Sequence, residues 1–183
     1  EYCGWFVTGW VHAFDQIQRA LGTDDTGPVE IWPEETGPNA RVSMRYATGT
    51  ILKLDMPEDK GPRAGGIFIG EKGKIEINRN RLASNPRELV EGAPPPADKS
   101  ENASVSHEHI RNWVHCMRTR EKPVATAAIG HRSTTICHLV NICRELGRKL
   151  QWDPVKEEFV GDEEANKLRS RPRRKGYELP ELV

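Results

Sequence analysis

A histidine and an aspartate three residues apart are the side chains of this sequence best suited to catalytic chemistry. His12 and Asp15 lie in the segment GWVHAFDQIQRALG. A neutral imidazole can take up or release a proton near pH 7, and a carboxylate one helical turn further on can orient it. The spacing is also typical of a polar helix surface, on which Asp15 orients His12 or pairs with Arg19. The pair alone therefore leaves both interpretations open.

The segment around this pair has the apolar spacing of an amphipathic helix. Hydrophobic side chains recur every three or four residues and predict one apolar stripe, with His12 and Asp15 on a polar line beside it. Gly22 stands where a left-handed C-terminal cap would end the helix. Trp10 precedes the pair, and its indole can stack on the apolar face of a sugar ring or pack in a core. The stripe is formed by Val11, Phe14, Ile17 and Leu21.

Length, charge and cysteine spacing limit the classes of protein to consider. The 183 residues suffice for one domain with a substantial core. The 27 Lys and Arg residues balance the 27 Asp and Glu residues, so no overall field attracts nucleic acid or an anionic membrane surface. No stretch approaches the roughly 18 apolar residues of a membrane span.

Metal binding is not predicted either. The four cysteines form no CxxC pair and no zinc-finger spacing, which favours reduced, mostly buried thiols. His107 and His109 would point to opposite sides of a helix and could not share an ion.

The middle of the sequence alternates between apolar and polar residues, as strands do. This alternation predicts a short strand followed by two hairpins, which together give four or five antiparallel strands. The short strand covers residues 29–32, the first hairpin residues 41–46 and 50–56, and the second hairpin residues 67–69 and 74–79.

Two amphipathic helices are predicted after these hairpins, over about residues 104–119 and 132–146. Ser133 or Thr134 would cap the second helix, whose N-terminus could hold an anionic or polyhydroxyl group together with Arg132. The apolar stripe of the first helix consists of Ile110, Trp113, Val114 and Met117. Both helices need an apolar surface, and the strands provide one. The sequence therefore predicts an α+β fold: an open, mainly antiparallel sheet with helices packed on one face.

The order of several short motifs resembles that of the substrate-side, C-terminal α/β domain of the Gfo/Idh/MocA oxidoreductases, in its bacterial branch. The HxxD element ends in an Ala-Leu-Gly helix terminus and is followed by a predicted strand. The other matching segments are residues 70–77 (GEKGKIEI), 130–133 (GHRS), 150–154 (LQWDP) and 171–174 (RPRR). The resemblance covers nearly the whole chain, and the order of the segments makes it specific.

This resemblance implies that residues 1–183 are a C-terminal substrate-binding and oligomerisation domain. NAD(P) would be bound mainly by an N-terminal Rossmann domain that is absent from this chain. No GxGxxG follows a strand here, and the glycine-rich residues 61–66 lead into a strand rather than a helix. The start at Glu1, without a methionine, suggests a chain cut from a longer protein. The whole enzyme would exchange a hydride between a nicotinamide and an alcohol carbon of a sugar or cyclic polyol.

The resemblance also implies roles for individual residues. His12 would be the catalytic residue, which moves the proton of the substrate alcohol. Trp10, Asp15 and Arg132 would be substrate-binding residues. The exposed face of the open sheet would build a homo-oligomer.

One position departs from the family pattern. The sugar and polyol dehydrogenases of this family commonly carry a carboxylate four residues before the histidine, where this chain has Thr8. A threonine can hydrogen bond to a substrate hydroxyl, but it carries no charge to stabilise an imidazolium. A second hypothesis is therefore a non-catalytic binding or assembly module of the same fold. The sequence leaves open the identity of the substrate, the choice of NAD or NADP, and a cytoplasmic or exported location.

Overall fold

The computed structural model describes residues 10–54, 65–78, 81–93, 102–170 and 172–178. The helices are α1 (Val11–Leu21), α2 (Asn102–Thr119), α3 (Ala127–Leu146) and α4 (Glu163–Lys167). The strands are β1 (Pro28–Pro33), β2 (Val42–Tyr46), β3 (Ile51–Leu54), β4 (Gly66–Gly70), β5 (Gly73–Asn78), β6 (Arg81–Asn85), β7 (Leu150–Asp153) and β8 (Glu158–Phe159). The predicted α+β class with an open antiparallel sheet is confirmed.

The strands form two sheets, where the sequence predicted four or five strands in one. One sheet has the order β3-β2-β1-β7-β8, and the other has the order β4-β5-β6. Both predicted hairpins are present; residues 55 and 56 of the first and residue 79 of the second lie outside the described residues. None of the described helices has the length and apolar character needed to cross a membrane.

Contacts along the chain divide these elements between two compact units. The first unit contains the described residues of the ranges 1–27 and 54–141, and the second contains those of 28–53 and 142–183. Helices α1 and α2 and the three-stranded sheet therefore belong to the first unit. The five-stranded sheet and α4 belong to the second unit, except for Leu54, the last residue of β3.

Helix α1 buries one face, as its apolar spacing predicts. Phe14 and Ile17 are buried, with 1% and 7% of their surfaces exposed. Gln18 is buried as well: its Nε2 donates to the carbonyl of Thr23, whose hydroxyl donates back to Gln18 Oε1. Gly22 ends the helix with φ +67°, the left-handed cap that the sequence predicts. The other two positions of the predicted stripe, Val11 and Leu21, are half-buried.

The three-stranded sheet turns one face towards α1. A Cβ at Gly66 would lie only 3.0 Å from Ile17 Cγ1, so the glycine permits a close approach of β4 to the helix. Phe68 points to the same face, because side chains alternate along a strand. Ile67 and Ile69 point to the opposite, outer face, and they are 41% and 83% exposed.

Helix α3 begins earlier than predicted. It starts at Ala127, and Thr126 caps it by accepting the N–H of Ile129 on its Oγ1 at 3.2 Å. The prediction that Ser133 or Thr134 caps the helix is wrong, because both lie in its interior. The alanines that follow Thr126 are strong helix formers, and they extend the helix towards its N-terminus.

Helix α2 exposes most of the stripe that the sequence predicted to be buried. Ile110, Trp113 and Met117 are 52%, 56% and 45% exposed, whereas Cys116 is 7% exposed. The buried side of α2 is therefore offset around the helix from its most apolar side. The spacing of the apolar residues identifies the apolar side of α2, but it does not predict whether other elements cover that side.

The second unit has its core on one face of the five-stranded sheet. β1 pairs antiparallel with β2 and with β7, and Ile31 lies opposite Met44 in one ladder and Leu150 in the other. All three side chains are almost completely buried. The sequence did not predict β7 and β8 as strands. The rings of Trp152 and Phe159 join them edge to face, with centroids 4.9 Å apart.

Three of the four cysteines agree with the predicted set of reduced, buried thiols, and Cys3 lies outside the described residues. Cys116, Cys137 and Cys143 are buried and form no disulfide within the described residues. Cys143 Sγ donates to the carbonyl of Arg148 at 3.8 Å. Burial raises the pKa of the Cys143 thiol to about 12.

An arginine–carboxylate cluster fixes the start of α4. Asp162 caps this helix by accepting the N–H of Ala165, and it also accepts two hydrogen bonds from Arg148. The same guanidinium bonds to Glu164 at 2.9 Å. The hydrogen bonds from Arg148, followed by that from Ala165, lower the pKa of Asp162 from 3.8 to about 2.

We expect Asp162→Asn to lower stability in a pH-dependent way. Asparagine keeps the capping oxygen but loses the charge that Arg148 binds. Because the folded-state pKa is depressed, the stabilisation is fully present above the unfolded value of about 3.8 and is lost as the pH falls towards 2. Urea midpoints should therefore differ between variant and wild type at pH 7, and the difference should shrink below pH 4. Equal midpoints at pH 7 would contradict this assignment.

We expect Gly73→Ala to disrupt the three-stranded sheet. Gly73 has φ +137°, and an added Cβ would lie 2.3 Å from the carbonyl oxygen of Asn85. The clash is with backbone, which cannot rotate away, so the free energy of unfolding should fall by at least about 2 kcal/mol. Gly92→Ala is the matched control, since Gly92 also has a positive φ but has open space around it. Its loss should be about 1 kcal/mol, and equal losses in the two variants in urea unfolding would refute the clash.

Candidate active site

His12 and Asp15 lie on the solvent side of α1. Both are exposed, whereas Ala13 and Phe14 on the same turn are buried. Residues three apart on a helix are neighbours, with Cβ atoms about 5–6 Å apart. The structure therefore presents an imidazole and a carboxylate side by side at a surface where a ligand can reach both.

Asp15 does not pair with Arg19, one of the arrangements that the sequence left open. The Arg19 guanidinium instead bonds to Asp24 Oδ2 at 2.7 Å, in the loop that follows the helix. Asp15 Oδ1 accepts a hydrogen bond from Ser133 Oγ at 3.2 Å. The residue that anchors the carboxylate is therefore a hydroxyl on α3.

Ser133 is the contact of Asp15 that sequence reasoning missed. Its side chain is 2% exposed, and it reaches Asp15 across 118 positions of the sequence. The GHRS segment is part of the family resemblance, but its serine has the local pattern of a helix cap. A local pattern cannot reveal a partner so distant in the chain.

Arg132 lies beside Ser133 on α3 and is half-buried. The prediction that Arg132 lies at the helix N-terminus is wrong, because the helix begins at Ala127 and Arg132 lies in its second turn. The role of Arg132 in substrate binding stays a prediction. Its guanidinium is a charged group on the same helix as Ser133.

Trp10 is half-buried and lies at the start of α1. Its carbonyl accepts the N–H groups of Ala13 and Phe14, and its backbone is helical with φ −84° and ψ −9°. The backbone of Trp10 is therefore fixed by the first turn of the helix, and residues two positions apart, such as Trp10 and His12, point to opposite sides of a helix. Thr8, where the family pattern has a carboxylate, lies outside the described residues.

The one glycine-rich segment of the sequence does not form the phosphate-binding turn of a dinucleotide site in its described part. Of the glycine-rich segment 61–66, only its last two residues are described, and Gly66 begins β4. A pyrophosphate needs N–H groups at the start of a helix, which this strand cannot provide. In the same described part of the chain, no three His, Cys, Asp or Glu side chains are grouped so that they could hold a metal ion.

A second carboxylate, on the five-stranded sheet, has a structural role. The side chain of Glu30 is 6% exposed and contacts Lys149 Nζ at 2.7 Å, Arg45 Nη2 at 2.9 Å and Gln151 Nε2 at 3.0 Å. The hydrogen bond from Lys149 is the largest cause of the lowered pKa of Glu30. A carboxylate with three donors is held charged and is a poor proton acceptor.

Comparison with known proteins adds the family. Residues 4–179 match the family described as "Oxidoreductase family, C-terminal alpha/beta domain". No curated protein and no solved structure was found to match. The match extends over nearly the entire chain and includes α1 with its histidine and aspartate. The chain therefore belongs to the Gfo/Idh/MocA oxidoreductase family and carries its C-terminal domain.

Proposed function

We propose that this chain is the substrate-side domain of an NAD(P)-dependent oxidoreductase that acts on an alcohol of a sugar or cyclic polyol. The observation that carries the proposal is the exposed His12–Asp15 pair, whose carboxylate is anchored by Ser133. Membership of an oxidoreductase family supports the reaction class. A base and a hydrogen-bond acceptor one helical turn apart suit a substrate rich in hydroxyl groups.

A bound nicotinamide supplies the hydride chemistry of such a reaction. The residues of this chain handle the alcohol. His12 accepts the hydroxyl proton as the C–O bond becomes a carbonyl, and it returns the proton in the reverse direction. Asp15 accepts a hydrogen bond from a substrate hydroxyl, Arg132 donates to an oxygen of the substrate, and the indole of Trp10 covers the apolar side of the ring.

In this proposal, NAD(P) is bound mainly by a domain other than the one described above. Because the described part of the glycine-rich segment leads into a strand, we place the nucleotide on an N-terminal Rossmann domain of the same protein. The reading frame before Glu1 should then encode a strand, a GxGxxG turn and a helix.

One sequence feature favours the second candidate, a non-catalytic binding or assembly module. Thr8 takes the place of a carboxylate that would stabilise a charged imidazole. A protein that binds polyols through the same surface, but produces no NADH or NADPH with them, would support this alternative.

We expect His12→Ala to lower kcat at least about 100-fold, because a positioned acid–base group typically contributes a factor of 10² to 10⁴. The measurement is NADH or NADPH formation by the full-length protein with myo-inositol, D-glucose and D-xylose. His138→Ala is the matched control, since His138 is also an exposed histidine on a helix. Unchanged turnover in His12→Ala would remove the catalytic role of this residue.

We further propose that the outer face of the three-stranded sheet joins two copies of the chain. Ile69 is 83% exposed there, beside Ile67. Lys74 and Glu76, their partners on β5, share this face and can pair across a two-fold axis. A contact of this kind brings the same isoleucines of both copies together.

Ile69→Asp should therefore shift the protein towards monomer in light scattering after size-exclusion chromatography. The burial of a charge in an apolar contact should weaken association at least about tenfold. Val155→Asp is the control, because Val155 is 84% exposed but lies in the second unit, between β7 and β8. A mass that is the same for both variants and wild type would exclude this face as the interface.

A further inference from the structure

We propose that Ser133 is a positioning residue of the candidate site. Its hydroxyl holds one oxygen of Asp15, so that the other oxygen faces a hydroxyl of the polyol next to the hydroxyl that His12 deprotonates. This inference rests on the proposed function and specifies its substrate: a polyol with hydroxyls on adjacent carbons.

The first observation is the direction of the Ser133 hydroxyl. Three hydroxyl residues stand in a row on α3. Thr134 and Thr135 donate to the carbonyls four residues earlier, those of Gly130 and His131, at 2.7 and 2.9 Å. Such bonds are the ordinary choice of a hydroxyl inside a helix. Ser133 instead donates to Asp15 Oδ1 on another helix, at 3.2 Å.

The second observation is the contrast in burial between the two partners. Ser133 is 2% exposed, whereas Asp15 is exposed. A buried donor is itself fixed by its packing, and it therefore fixes the exposed carboxylate that it contacts. An aspartate held in this way loses little rotational freedom when a ligand binds, which lowers the cost of binding.

The third observation is the number of acceptors. A carboxylate has two oxygens, and the bond to Ser133 uses Oδ1, so Oδ2 can accept from a second donor. Arg19 does not compete for Asp15 through a hydrogen bond, because its guanidinium bonds to Asp24. His12 lies one helical turn before Asp15, so the two side chains can engage two neighbouring hydroxyls of one ring.

The test compares steady-state constants of the full-length protein with myo-inositol and D-glucose as probes. We expect Ser133→Ala to raise KM about fivefold with kcat within about twofold, because a preorganised hydrogen bond to a charged group is weakened while the proton acceptor stays in place. Ser133→Cys, which fills the same space with a weak donor, should behave alike. Thr134→Ala is the matched control, one residue away and with a hydroxyl bonded only inside its helix, and its KM should stay within about twofold of wild type.

A combined variant separates positioning from a general loss of stability. Asp15→Asn should raise KM at least as much as Ser133→Ala, and in the Asp15→Asn background Ser133→Ala should add less than about a further twofold. Two results overturn the role of Ser133 and leave the proposed function standing. In the first, the effects of Asp15→Asn and Ser133→Ala on KM multiply in the combined variant. In the second, KM is unchanged in Ser133→Ala and Ser133→Cys while His12→Ala abolishes turnover. Absence of turnover in the wild type with both probes and D-xylose overturns the proposed function, and the role of Ser133 with it.

Discussion

The direction in which α1 presents its polar side chains depends on the burial of Phe14 and Ile17. The ring of Phe14 and the methyl groups of Ile17 fix the rotation of the helix about its own axis, and Gly66 lets β4 approach close enough to keep that face covered. The face of the helix that carries His12 and Asp15 therefore points towards solvent. Packing positions the helix, and the hydrogen bond to Ser133 refines the position of one side chain on it.

Prediction from the sequence succeeded for the elements in which apolar residues recur at a regular spacing. The apolar period of α1 and its terminal Gly22 gave the helix, its buried face and its cap. The alternation around Met44 and around Phe68 gave both hairpins, because one buried face of a sheet requires a period of two. For the candidate site, this reasoning found His12 and Asp15 and placed them correctly on the polar line of the helix.

Where the structure depends on contacts between distant segments, prediction failed. Ser133 resembles a helix cap until its partner, 118 residues away, is known. The short strand β8 has two residues, too few for a pattern, and Phe159 on it packs against Trp152 of β7. The stripe on α2 shows the converse: Trp113 has ideal spacing for a core helix and is nevertheless more than half exposed. Spacing reports which side of an element is apolar, whereas the rest of the chain decides whether that side is covered.

Each of the two units contains at least one buried cysteine, whose thiol can serve as a natural chemical probe of that unit. Cys116 and Cys137 belong to the first unit, and Cys143 belongs to the second. Burial keeps each of these thiols from an alkylating reagent until its surroundings open, and the raised pKa of Cys143 further slows the reaction of that thiol at neutral pH. Alkylation followed by peptide mass spectrometry can therefore time the opening of each unit separately, without any engineered label. The same chemistry would show whether the two units open together or one before the other.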